Sequence, residues 1–194
     1  MRRRVGASRG AGAYGVSFVM RSLILKSTHT FVSLVLIAWL GSGNVLAQSQ
    51  LHVEESVELS ATPTQVWATL GQFGSLAWHP AVASTQVSGG KPNHPGSVRS
   101  VTVKDGARIV EELQRYNAAT RTLSYRIVES PLPVLGYVST LKVMPSKAGA
   151  KVVWRSDFVR NPQALNLNDE QVRDLIAGIY KTGFEGLRAV FPQH

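Results

Sequence analysis

The 194-residue chain contains no cysteine. That excludes disulfides, thiolate metal sites, a cysteine nucleophile and a lipid-modified leader cysteine. Acidic residues are missing from the whole stretch before Glu54. The first 47 residues hold six basic groups (Arg2, Arg3, Arg4, Arg9, Arg21 and Lys26), so most of the formal net charge of +9 resides there. Beyond them, fifteen basic residues face twelve acidic ones, and no stretch clusters Lys or Arg tightly. The sequence pI of about 10.3 is therefore a property of the leader and does not indicate a nucleic-acid partner. An apolar run near the ~20 residues that cross a bilayer is also lacking. The longest spans residues 31–40, so no stable membrane span is expected in the mature form.

What is present begins with a three-part leader. Arg21 and Lys26 make a positive region, residues 31–40 an apolar one, and Val45-Leu46-Ala47 ends in a small residue before Gln48. This is the pattern of a cleaved secretory signal. The expected layout is a leader over residues 1–47 and a single domain over 48–194, exported, with a bacterial periplasm as the implied destination. Residues 1–19 are Arg- and Gly-rich. They read either as an over-extended gene start, with Met20 the true initiator, or as a transit peptide or disordered arm.

After the leader, residues 53–60 alternate as a first strand. Thr62 as N-cap, Pro63 at the first helical position and Gln65 in a capping box start a helix carrying Val66, Trp67 and Leu70. Gly71 and Gly74 break it, and residues 73–79 are expected to form a second short helix stopped by Pro80. From Val82 the period becomes two. Strands are expected over 97–104, 107–116, 123–129, 135–144 and 151–159, with Asp105-Gly106 as a tight hairpin turn. Asn168 caps a long amphipathic helix bearing Val172, Leu175, Ile176, Ile179, Tyr180, Phe184, Leu187 and Phe191, ended by Pro192. The fold class is α+β: a curved antiparallel sheet of about seven strands around a long C-terminal helix, with two short helices after the first strand. Gly178, Gly183 and Gly186 each cost that helix about 1 kcal/mol relative to alanine. Either close helix–sheet approach or room for a ligand would account for them.

The order of elements, together with Ala61-Thr62-Pro63, Val66-Trp67, Phe73-Gly74, Trp78-His79-Pro80, Gly96-Ser97-Val98-Arg99, Glu111-Glu112-Leu113 and Leu123-Ser124-Tyr125, resembles the helix-grip fold of the Bet v 1/START-like (SRPBCC) superfamily. The similarity covers about residues 51–191 and is nearest to the polyketide cyclase/dehydrase and lipid-transport branch. That branch includes the plant abscisic-acid receptors and exported bacterial proteins linked to methanol oxidation. The resemblance implies an apolar cavity between helix and sheet. It places a gate loop at Lys104-Asp105-Gly106-Ala107 and a latch loop at Ser130-Pro131-Leu132-Pro133. The gate lacks the receptors' Ser-Gly-Leu-Pro pattern, and the latch lacks their His-Arg pair. The lysine that meets the hormone carboxylate falls at His79. Another small molecule is therefore expected in place of that hormone.

Candidate ligand contacts follow. Trp78 and His79 precede Pro80, where the chain turns back to the sheet, and a histidine beside an aromatic ring can meet a polar ligand group. An ordinary, partly exposed histidine is the alternative. Glu112 and Arg126, on adjacent predicted strands, are candidates to face the cavity; the alternative is a structural ion pair. Tyr137, Trp154, Phe158, Tyr180 and Phe184 are candidate walls, or plain core. Pro131 and Leu132 lie in the stiff latch loop. Neither His52 nor His94 has ligand-like spacing to His79, so no metal is expected, nor any cofactor. No catalytic residue is assigned. Glu111 and Glu112 are adjacent and point to opposite sheet faces; a Gly-x-Ser-x-Gly elbow is absent; Gly89-Gly90-Lys91 is no phosphate loop. The leading expectation is an exported binding or carrier protein for an apolar or amphipathic molecule. The alternatives are an aromatase/cyclase-like enzyme, with His79, Glu112 or Tyr180 as its polar groups, and an accessory protein that partners a periplasmic dehydrogenase.

Overall fold

The computed structural model describes residues 49–192. The leader, with its apolar stretch at 31–40, lies outside the described residues. Nine elements follow in order: β1 (Leu51–Leu59), α1 (Pro63–Leu70), β2 (Val82–Ser88), β3 (Val98–Val103), β4 (Arg108–Asn117), β5 (Thr122–Glu129), β6 (Val134–Ser146), β7 (Gly149–Arg160) and α2 (Asp169–Val190). The strands form one antiparallel sheet in the order β1-β7-β6-β5-β4-β3-β2. Among the described residues no helix is long and apolar enough to cross a membrane.

Local signals act as the sequence implies. Thr62 accepts from the Gln65 N–H, Gln65 reaches back to the Thr62 N–H, and Pro63 occupies the first turn of α1. Asn168 and Gln171 repeat that box at α2, where Asp169 and Glu170 lie at the positive end of the helix dipole. Each cap is worth about 1 kcal/mol. At Asp105-Gly106 the turn closes with Gly106 at φ +92° and the Asp105 carboxylate accepting from the Ala107 N–H.

The expected second short helix over residues 73–79 does not form. Turns replace it, held by the Phe73 N–H donating to Asn93 Oδ1 (2.9 Å) and the His79 N–H donating to the Leu76 carbonyl (2.8 Å). Phe73, Leu76 and Trp78 are all buried, so this segment plugs the core instead of presenting one apolar stripe. A helix would require a single stripe.

Helix α2 buries Val172, Ile176, Tyr180, Phe184 and Leu187 at steps of three and four residues, and packs on β1 and β7. Each such side chain contributes about 1.5–3 kcal/mol through burial. Its glycines divide by role. A Cβ at Gly186 would stand 1.9 Å from the Trp78 carbonyl oxygen, and one at Gly183 would stand 2.8 Å from His79 Cδ2 and 2.9 Å from Trp154 Cζ3. These two permit close approach. Gly178 meets nothing within 4 Å.

Candidate functional site: an internal cavity

Between α2 and the sheet lies a cavity of about 590 Å³. Strands β3, β4 and β5 supply one wall through residues of a single pleat parity: Arg99, Val101 and Val103; Ile109 and Glu111; Tyr125 and Ile127. Ile176, Ile179 and Tyr180 of α2 face them, and Leu76, His79 and Val82 close one side. Asp105, Pro131, Asp174 and Leu175 line the cavity and are exposed, which marks its opening. The hairpin at 104–107 and the loop at 130–133 thus both reach the mouth.

Two polar groupings lie within this apolar shell. Arg99 and Glu111 are direct register partners on β3 and β4. Arg99 Nε donates to Glu111 Oε2 at 2.6 Å, and Nη1 donates to the Phe73 carbonyl at 2.7 Å. The guanidinium carbon lies 4.3 Å from the Phe73 ring centroid and 4.9 Å from that of Tyr125. Side-chain exposure is 3% for Arg99 and 9% for Glu111, so the pair must satisfy itself. The second grouping joins helix to sheet: the hydroxyls of Tyr137 and Tyr180 hydrogen-bond at 2.5 Å. Tyr180 stacks on Trp154 (centroids 4.2 Å apart, 14° between planes), and Trp154 Nε1 donates to Ser139 Oγ at 2.9 Å. Burial pushes Tyr180 up to about 12 and raises Tyr125 and Tyr137 well above the ordinary phenol value. All three remain protonated hydroxyls at neutral pH.

His79 is buried rather than partly exposed. Its Nε2 donates to the Ile179 carbonyl at 3.1 Å, and its Nδ1 accepts from the Ala81 N–H at 3.2 Å. Because a carbonyl can only accept and an amide N–H only donate, the ring is fixed as the neutral Nε2–H tautomer. Burial lowers its pKa from the ordinary 6.5. The unfolded chain therefore takes up a proton on acidification before the folded one does. Stability is full above about pH 6.5 and declines as pH falls below it. Relative to His79→Gln, the wild type should lose up to about 1.4 kcal/mol per pH unit in that window. Urea unfolding between about pH 7.5 and 5.5 measures this, and parallel pH profiles for the two proteins would refute it.

Of the residues singled out from the sequence, His79, Pro131, Leu132, Tyr137, Trp154 and Tyr180 line the cavity. Trp78, Phe158 and Phe184 are buried one layer behind: Trp78 and Phe184 lie edge-on to Trp154, and Phe158 stacks on Tyr137. Glu112 and Arg126 do not face the cavity. They pair at 2.6 Å on the opposite face of the sheet, where the hydrogen bond from Arg126 holds the Glu112 carboxyl below its usual value. The inward residues that went unassigned are Arg99, Glu111 and Tyr125. Parity was the available signal. Glu111 shares its face with Ile109 and Leu113, Arg99 with Val101 and Val103, and Tyr125 with Leu123 and Ile127.

Residues 50–192 match the sequence profile of the polyketide cyclase / dehydrase and lipid transport family. The chain belongs to this family. Among curated proteins, MLP-like protein 423 of Arabidopsis thaliana is 28% identical over 127 residues, which is 60% of this chain and 79% of that protein. Solved structures agree. XoxI from Bacillus cereus superposes with a TM-score of 0.65 at 32% identity, covering 72% of this chain and 94% of its own. An uncharacterised Bacillus thuringiensis protein gives 0.66 at 31%, covering 74% and 100%. Ara h 8.0201, at 20% identity and a TM-score of 0.55 over 72% of this chain and 99% of its own, shares the Bet v 1-like fold. This family member therefore carries the SRPBCC architecture expected from its motif order.

Proposed function

We propose that this protein is an exported binding or carrier protein for an apolar or amphipathic small molecule. The cavity carries the reading. Its 590 Å³ falls within the ~300–1,000 Å³ of small-molecule sites, and its wall is largely aliphatic and aromatic with a few converging polar groups. A protein acting only through its surface has no use for such a space, since an unfilled interior costs stability. The cyclase alternative draws less support: both ring nitrogens of His79 are taken by backbone groups, and Glu112 points away. Export is supported by the leader's three-part pattern.

The uncharged fluorophore N-phenylnaphthylamine should bind with enhanced emission. Gly178→Trp, which adds a large ring at an open position of the cavity wall, should weaken it by about tenfold or more, corresponding to ~1.4 kcal/mol. Native mass spectrometry of protein recovered from the periplasmic fraction should show a chain beginning at Gln48 with a bound small molecule. Absence of both fluorophore binding and any co-purifying mass would end the carrier reading; a cytoplasmic, full-length chain would end the export reading.

A further inference from the structure

The geometry points to an uncharged, hydroxyl- or carbonyl-bearing amphiphile as the ligand class, with its polar group on the Tyr137–Tyr180 hydroxyl pair. This rests on the carrier reading and narrows it.

The charges lining the cavity are one cation, Arg99, against three carboxylates, Asp105, Glu111 and Asp174. His79 adds no positive charge, because its hydrogen bonds hold it as the neutral tautomer. Arg99 is already engaged by Glu111 and the Phe73 carbonyl, and packs against the rings of Phe73 and Tyr125. An anionic ligand group would meet a guanidinium whose charge Glu111 already balances, and would approach that carboxylate at close range, where a buried like charge is costly. A cationic group fares little better. The buried carboxylate is committed to Arg99, and Asp105 and Asp174 lie at the exposed mouth, where water screens them. An ion entering this cavity would lose its hydration without a partner to replace it.

The tyrosine pair offers what an uncharged polar group requires. Within the 2.5 Å bond one hydroxyl donates to the other, and the Ser139 and Ser156 hydroxyls interact with the pair, so the cluster as a whole holds hydrogens to donate and lone pairs to accept. Burial keeps both phenols protonated, as noted above. Their rings are immobilised by stacking, Tyr180 on Trp154 and Tyr137 on Phe158, so binding would freeze little additional motion.

The test is displacement of N-phenylnaphthylamine from the protein as purified from its own cells, at neutral pH, by decanol, decanoate and decylammonium, which share a chain and differ in head-group charge. Decanol is expected to compete about tenfold or more better than either ion. Tyr137→Phe and Tyr180→Phe keep the stacked rings. Each should weaken decanol about three- to tenfold once the competition is corrected for that variant's own fluorophore affinity. Decanoate or decylammonium matching or exceeding decanol would overturn the assignment without variants. Undiminished decanol binding in both variants would remove the tyrosine pair from it. Failure of the fluorophore itself to bind would instead defeat the carrier reading on which the assignment stands.

Discussion

Gly186→Ala should lower folding stability by about 3 kcal/mol or more, whereas Gly178→Ala, eight residues earlier on the same helix, should raise it by about 0.5–1 kcal/mol. The two sites share the helical propensity gain, because both are interior positions of α2. They differ in what the new methyl meets. At Gly186 it would overlap the Trp78 carbonyl oxygen at 1.9 Å and Pro80 Cδ at 2.7 Å. Neither is the end of a flexible side chain, so relief requires moving the helix off the segment that carries His79. At Gly178 the methyl enters open space. Gly183→Ala should fall between them, since its neighbours are ring atoms of His79, Trp154 and Trp78 that can yield only slightly. Urea unfolding of the three variants gives the ranking; a Gly186→Ala protein within 0.5 kcal/mol of wild type would overturn this account.

Glu111→Leu or Arg99→Met alone should each cost about 3–5 kcal/mol, because each leaves a buried charge without its partner. The double variant Arg99→Met/Glu111→Leu should cost far less than the sum and can approach neutrality, since it removes both desolvation penalties and leaves apolar side chains against Phe73 and Tyr125. A double-mutant cycle measures the coupling. Additive losses, or single losses below about 1 kcal/mol, would mean that the pair is hydrated in solution and not held in the wall as described. The functional corollary concerns selectivity: with the pair removed the wall still offers no partner for an ion, so decanol should keep its lead over decanoate.

Much of the architecture was legible because its signals are local. The capping boxes at Thr62 and Asn168, the Asp105-Gly106 turn and the apolar spacing of α2 each involve residues within a few positions of one another, and all form as expected. The errors arose where local signals conflicted. Residues 73–79 contain helix-compatible side chains, but Phe73, Leu76, Trp78 and His79 are all buried, a spacing that a single helical stripe cannot provide. In β4 a pair of adjacent glutamates allowed two parities, and Glu112 was matched with Arg126. That match is right as an ion pair and wrong as a cavity contact. In β6, Gly136 at φ +61° sits in a bulge between Leu135 and Val138, so Val134 and Tyr137 both turn inward and simple alternation fails.

The cavity belongs to a different level of description. Alternation and helical spacing specify which side chains can leave the solvent. They do not specify whether two buried faces touch. Helix α2 packs on β1 and β7, while the cavity wall is drawn mainly from β3, β4 and β5, the far side of a curved sheet. Whether space remains there depends on sheet curvature, on the close seating of Gly183 and Gly186, and on the turns that carry Trp78 and His79. The helix seating couples residues about a hundred positions apart, as in the contacts of Gly183 and Gly186 with His79 and Trp78 and the hydrogen bond of His79 to Ile179. The amino-acid order was enough for most of the element succession, the caps and the family resemblance. Long-range packing alone separates a tyrosine in a filled core from one that lines a space a ligand can enter.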